Sequence, residues 1–174
     1  MTTPRLKISR QALGSLTAHV RKGFETKYKK EVGGHLLGYG DKNGFYVGRA
    51  IPYNTPYSTR TGWGINQYYF RRKGLHLETK RLKWIGTYHS HVEIKRSACT
   101  GQSREDKEAH IFFDRPVDII VRITNHRMRA PGICLSYKEM RNSHVYFFDI
   151  CGFVKDPQEK ITMINVEHTA RKQR

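Results

Sequence analysis

Residues 82–91 read Leu-Lys-Trp-Ile-Gly-Thr-Tyr-His-Ser-His, an apolar run that ends on two imidazoles one residue apart. The run predicts a strand from Leu82 to Tyr88 that leads straight into His89-Ser-His91. Side chains two apart on a strand share a face, so His89 and His91 can reach one ion. Ser90 points to the opposite face and reads as structural.

Downstream, a long polar loop reaches Gln102 and a helix opens at Ser103, running to about Phe113, with Asp106 in its first turn. A catalytic zinc takes three protein ligands from His and Asp or Glu and leaves a fourth position to water. Asp106 is the carboxylate that a strand end, a loop and a helix start can bring to the two imidazoles. Plainer readings exist for each half. A His-X-His pair arises by chance in a chain with nine histidines, and Ser103-x-x-Asp106 is an ordinary capping box.

Upstream lies Glu31-Val-Gly-Gly-His-Leu-Leu-Gly, separated from the apolar run Phe45 to Ile51 by an Asn43-Gly44 turn, which predicts a β-hairpin. Glu31 stands at the mouth of that sheet, where a carboxylate can take a proton from an activated water. Before it, Leu13, Leu16, Val20, Phe24 and Tyr28 recur at helical spacing over about Gln11 to Lys30, with Ser9 as N-cap. Thr55 to Gly64 has no periodicity and reads as a loop, and Asn66 to Lys80 as a second helix weakened by Gly74. A buried strand spans Val117 to Ile123. Gly132 to Tyr137 and Val145 to Ile150 form a further pair around Asn142-Ser143. From Lys155 onward, weak periodicity leaves strand, helix and tail open. This order predicts an α/β (α+β) fold, a mixed sheet flanked by helices.

The 174 residues fit one domain, and no apolar run approaches the ~20 residues of a membrane span. The start, Met1-Thr-Thr-Pro-Arg-Leu-Lys, lacks the apolar stretch of a signal peptide, so the expectation is a cytoplasmic protein without a membrane partner. Cys99, Cys134 and Cys151 stand at unrelated spacings and suggest neither a disulfide framework nor a cysteine zinc site. The net charge of +17 calls for an acidic partner, either nucleic acid or an acidic protein surface. Its clusters, Arg71-Arg72-Lys73, Lys80-Arg81 and Arg171-Lys172, come without a phosphate loop, an RNP-type motif or zinc-finger spacing, which disfavours nucleic acid.

Taken together, Glu31-Val-Gly-Gly-His-Leu-Leu-Gly, Tyr88-His-Ser-His91 and Ser103-Arg-Glu-Asp106 resemble the three parts of the JAMM (MPN-plus) signature. That signature is a Glu in an E-x-G-G-x-L-x-G hairpin, then His-Ser/Thr-His, then Ser-x-x-Asp, and the parts occur here in family order. The resemblance implies a single MPN-type, cytidine-deaminase-like domain over 1–155, with 156–174 as an extension or tail. It implies that His89, His91 and Asp106 hold one Zn²⁺, that Glu31 is the general base, and that Ser103 donates a hydrogen bond to the oxyanion. His35 and His110 match no family ligand and read as ordinary polar residues. Three departures stand out: Val92 where relatives often have Pro, Gln102 where Pro commonly precedes the motif Ser, and a longer loop between them. Cys99 lies in that loop, close enough in sequence for its thiol to reach an open zinc position.

By the same resemblance, the activity is that of a deubiquitinase-like zinc isopeptidase or peptidase. It would cleave after the C-terminus of a ubiquitin-like modifier or its precursor, as in bacterial conjugation-like or anti-phage systems. Thr55 to Gly64, with Tyr57, Thr59 and Trp63, is where an extended substrate tail is expected. The alternatives are a non-catalytic MPN scaffold, disfavoured because all four key residues are present, and a basic nucleic-acid-associated protein. Bound zinc and Glu31-dependent cleavage discriminate against both.

Overall fold

The computed structural model describes residues 4–94 and 96–169. Leu6 and Ile8 alternate with Arg5 and Lys7, and this short pattern forms β1 (Arg5–Ile8) with both apolar side chains buried. Ser9 caps α1 (Arg10–Phe24), its hydroxyl oxygen accepting from Ala12 N at 3.0 Å. The helix stops at Phe24, short of the predicted Lys30. Tyr28 is exposed there, and Lys29 takes a positive φ in the turn toward the sheet.

The hairpin forms as expected from β2 (Gly33–Asp41) and β3 (Gly44–Tyr53). Gly44 sits at φ +132° against β1, where a Cβ would lie 2.1 Å from the Arg5 carbonyl oxygen. There follow α2 (Gln67–His76), β4 (Lys83–Val92), α3 (Arg104–Phe113) and β5 (Val117–Thr124). β6 (Leu135–Arg141) and β7 (His144–Lys155) turn through Asn142 and Ser143, both at positive φ as tight hairpin turns require. The segment after Lys155 adds a final strand, β8 (Ile161–His168), while Arg171-Lys172 lies outside the described residues.

The topology corrects the expected MPN-type mixed sheet with flanking helices. The strands run β5-β4-β2-β3-β1-β8-β7, and β7 pairs again with β5, closing a seven-stranded mixed β-barrel to which β6 adds on β7. Closure depends on elements with the weakest periodicity. β1 has four residues and lies parallel to both β3 and β8, and β8 pairs antiparallel with the end of β7. Without those strands the same elements describe an open sheet. α1 lays Ala12, Leu16, Val20 and Phe24 into the core formed with Leu36, Val47 and Ile119. Full burial of each large side chain is worth about 1.5–3 kcal/mol.

A second correction concerns the cysteines. The β6–β7 register sets Leu135 opposite Ile150, so Cys134 and Cys151 are the next pair outward and are joined by a disulfide. Their spacing means nothing along the chain and becomes a contact only through the hairpin.

One irregularity aims the site. Leu36 faces Gly86 and Leu37 faces Trp84, so Ile85 is an extra, bulged residue on β4. Tyr88 points into the main core, while Trp84 joins Leu37, Phe70 and Phe113 in a separate cluster beneath α2 and α3. His89 and His91 alternate with Tyr88, Ser90 and Val92 and so face the side of α2 and α3.

Candidate metal centre

Three side chains that could hold a metal ion converge between β4 and the start of α3. His89 Nε2 lies 3.0 Å from Asp106 Oδ1, His91 Nε2 lies 3.3 Å from Asp106 Oδ2, and the two Nε2 atoms are 3.3 Å apart. No other group of three His, Cys, Asp or Glu among the described residues meets the spacing of a metal site. Asp106 is delivered by the capping box that also starts α3: Ser103 Oγ accepts from Asp106 N at 3.1 Å, and Ser103 N donates to Asp106 Oδ2 at 2.7 Å. The cap thus also fixes the Asp106 carboxylate beside the two imidazoles. Because Ser103 Oγ accepts in the cap, its own O–H proton is left to donate.

Glu31 reaches the same cleft from the turn before β2, its N–H donating to Thr59 O at 2.8 Å. Burial pushes the Glu31 carboxyl up to about 7, against the pull of His91 and His89 beside it. Around His89, burial opposes the charged ring, yet Asp106, Asp118 and Glu31 together lift it to about 9. Burial likewise opposes the Asp106 charge, but hydrogen bonds from His89 and His91 hold its carboxyl well below the usual range.

The cleft, about 530 Å³, has a composition unlike the rest of the chain. Glu31, Glu105, Asp106 and Asp118 line it with no Lys or Arg, in a protein of net charge +17. A divalent cation fits this donor set: two imidazole nitrogens and a carboxylate within 4.8 Å of one another, in negatively charged surroundings. His91 is already oriented for it, since Nδ1 faces Cys99 O at 3.1 Å and turns Nε2 inward.

Sequence reasoning missed the residues behind His89. Asp118, on β5, is 2% exposed, accepts from Thr87 Oγ1 at 2.8 Å and Gln102 Nε2 at 2.7 Å, and lies 4.0 Å from His89 Nδ1. A lone Asp in the apolar run Val117 to Val121 was the available signal. His110 is buried beside this group, its Nδ1 accepting from Gln102 Nε2 at 3.2 Å.

Ser90 is fully buried on the opposite face, its hydroxyl oxygen accepting from Val32 N at 2.9 Å. His35 packs against Phe70, far from a ligand role, and burial pushes it down to about 4. Trp63 stacks near His89 at 6.1 Å and walls the cleft with Tyr57 and Thr59. Cys99 touches the centre through its carbonyl, while its Sγ accepts from Gly101 N at 3.2 Å. The loop after Val92 is held from behind: Arg122, paired with Asp149 at 2.6 Å, donates to Ala98 O and Arg129 O.

No protein-family model matches the chain, and no curated protein matches it. Among solved structures, the chain is similar to the solution structure of protein DSY2949 from Desulfitobacterium hafniense, a structural-genomics target, with a TM-score of 0.54. The two are 14% identical, over 97% of this chain and 95% of that one. At that identity the likeness concerns the fold alone.

Proposed function

We propose that the chain is a zinc-dependent hydrolase that cleaves a peptide or isopeptide bond after the C-terminus of a ubiquitin-like modifier or its precursor. The observation that carries this reading is the convergence of His89, His91 and Asp106 in a cleft that also holds buried Glu31 and excludes every Lys and Arg. The motif resemblance to the JAMM family rests on the same residues. Function resides in sites rather than folds, so the closed barrel leaves this resemblance of motifs standing.

Zinc held by His89, His91 and Asp106 would polarise a scissile carbonyl and acidify a water toward a pKa of ~7. Glu31, which lines the same cleft, would take the proton of the attacking water on its carboxylate and pass it to the leaving amine. Ser103 donates its free hydroxyl proton to the oxygen on which charge develops. The Asp118 carboxylate, 4.0 Å from His89 Nδ1 and fixed by Thr87 and Gln102, favours by its charge the tautomer protonated on Nδ1, which leaves Nε2 to ligate. Tyr57, Thr59 and Trp63 form the wall along which an extended tail lies.

The test is cleavage of a ubiquitin-like protein carrying a fluorogenic amide at its C-terminus. Zinc-loaded wild type cleaves it, and Glu31→Gln retains zinc while losing rate by about 10²-fold or more. Equal rates in the two proteins contradict the assignment.

A further inference from the structure

From Lys42 to Leu77 the chain carries no Asp or Glu, and Arg71, Arg72 and Lys73 fall near the end of that stretch, on α2. Only Phe70 and Gly74 of this helix are buried. Phe70 stacks on His35 with ring centroids 3.9 Å apart, and a Cβ at Gly74 would lie 2.6 Å from the Trp84 ring. The helix is thus held close to the barrel by two positions, and most of its surface faces solvent.

That surface has a specific chemistry. Tyr68 and Tyr69 are 69% and 60% exposed and meet edge to face, 5.6 Å between centroids. At helical spacing Tyr68 lies one turn from Arg71 and Arg72, and Tyr69 one turn from Arg72 and Lys73. The turn that follows presents Lys80 and Arg81, both exposed. Among the described residues, none of Arg71, Arg72, Lys80 and Arg81 forms an ion pair, and Glu78 is engaged by Lys83 at 3.4 Å. Lys73 rests over the Tyr53 ring.

Unpaired cations suit phosphates, and bare aromatic rings offer faces on which unpaired bases stack. An acidic protein would satisfy the charge but not the rings: interface aromatics work in desolvated pockets with apolar surrounds, and on α2 itself Leu75 is the one exposed large aliphatic beside the tyrosines. A duplex keeps its base faces stacked away from such rings. We propose that α2 and the turn after it are a docking surface for a single-stranded polynucleotide. The surface is independent of the metal centre, although Gln67 at its start lines the cleft and sets a bound strand beside the cleft mouth.

The experiment is anisotropy of a fluorescein-labelled oligo-dT of about 20 nucleotides with the full-length protein, over about 50–300 mM KCl. Wild type binds with a steep salt dependence. Arg71→Ala/Arg72→Ala/Lys73→Ala lowers the slope of log K against log salt by about 2, three phosphates at ~0.7 each. Tyr68→Ala/Tyr69→Ala keeps the charge and the slope but weakens binding by roughly 5- to 150-fold per ring. Lys22→Ala/Lys27→Ala/Arg127→Ala, three exposed cations elsewhere, leaves affinity near wild type. All these positions are exposed, and Phe70 and Gly74 are untouched, so circular dichroism stays unchanged. The proposal is overturned if the two cation triples lose affinity equally, if the tyrosine variant binds like wild type, if a labelled duplex binds as tightly, or if oligo-dT does not bind even at low salt.

Discussion

Gln102 Nε2 donates to Asp118 Oδ2 at 2.7 Å, tying the residue just before the helix cap to a buried carboxylate behind His89. Gln102 is also a position at which the chain departs from the JAMM motif, and the contact gives that departure a physical role. Asp118→Asn removes the charge and keeps the shape, so its expected effect is a loss of zinc affinity of about 10- to 100-fold with little change in fold. Competition against a chromophoric chelator measures it. Unchanged affinity would reduce Asp118 to a packing group.

Ser103 caps α3 and, in the proposed function, also donates to the oxyanion. Ser103→Ala loses the cap at a cost of about 1 kcal/mol of stability, and it also loses the hydroxyl donor. Its rate should fall by about 10²- to 10³-fold, far beyond what the cap explains. Ser103→Thr keeps both oxygen and proton and should recover most of the rate. A Ser103→Ala rate within a few-fold of wild type would remove the donor role.

His35 makes stability depend on pH. The ring is fully buried, and burial lowers it from 6.5 to about 4, so between those values the unfolded chain binds a proton that the folded chain does not. Its contribution is fully present above pH ~6.5 and is lost as the pH falls toward ~4, by about 3 kcal/mol in total. Urea denaturation of wild type and His35→Gln at pH values spanning this window should show wild type losing more stability on acidification. Parallel curves would contradict it.

Thiol chemistry tests the Cys134–Cys151 bridge. Native, unreduced protein should take up maleimide at Cys99 alone, and after reduction in denaturant at all three cysteines. Cys99→Ser should label at none in the native state and retain metal, because the contact to His91 is made by the backbone carbonyl. Native labelling of Cys134 or Cys151 would show that the bridge between them is not formed.

Local signals in the sequence were strong where one short-range interaction decides the structure. Ser9, Asn66 and Ser103 cap the helices they precede, and the Asn43-Gly44 and Asn142-Ser143 turns form hairpins. The meeting of the three side chains was legible for the same reason, since strand alternation pairs His89 with His91 and a capping box carries Asp106 toward them. Barrel closure was not legible. It rests on Arg5–Ile8, too short to show a period, and on pairings of residues more than a hundred apart, such as Leu6 with Val166. Asp118 and Gln102 likewise acquire meaning only once β5 lies beside β4, and the Cys134–Cys151 bridge only once β6 lies beside β7.

The account stands most directly on the metal. Elemental analysis of wild type, His89→Ala and Asp106→Asn, purified identically, should give about one zinc per chain in wild type and little in either variant. Wild type that holds no zinc, and fails to take it up when zinc is added back, would contradict the reading of the cleft as a hydrolytic metal centre.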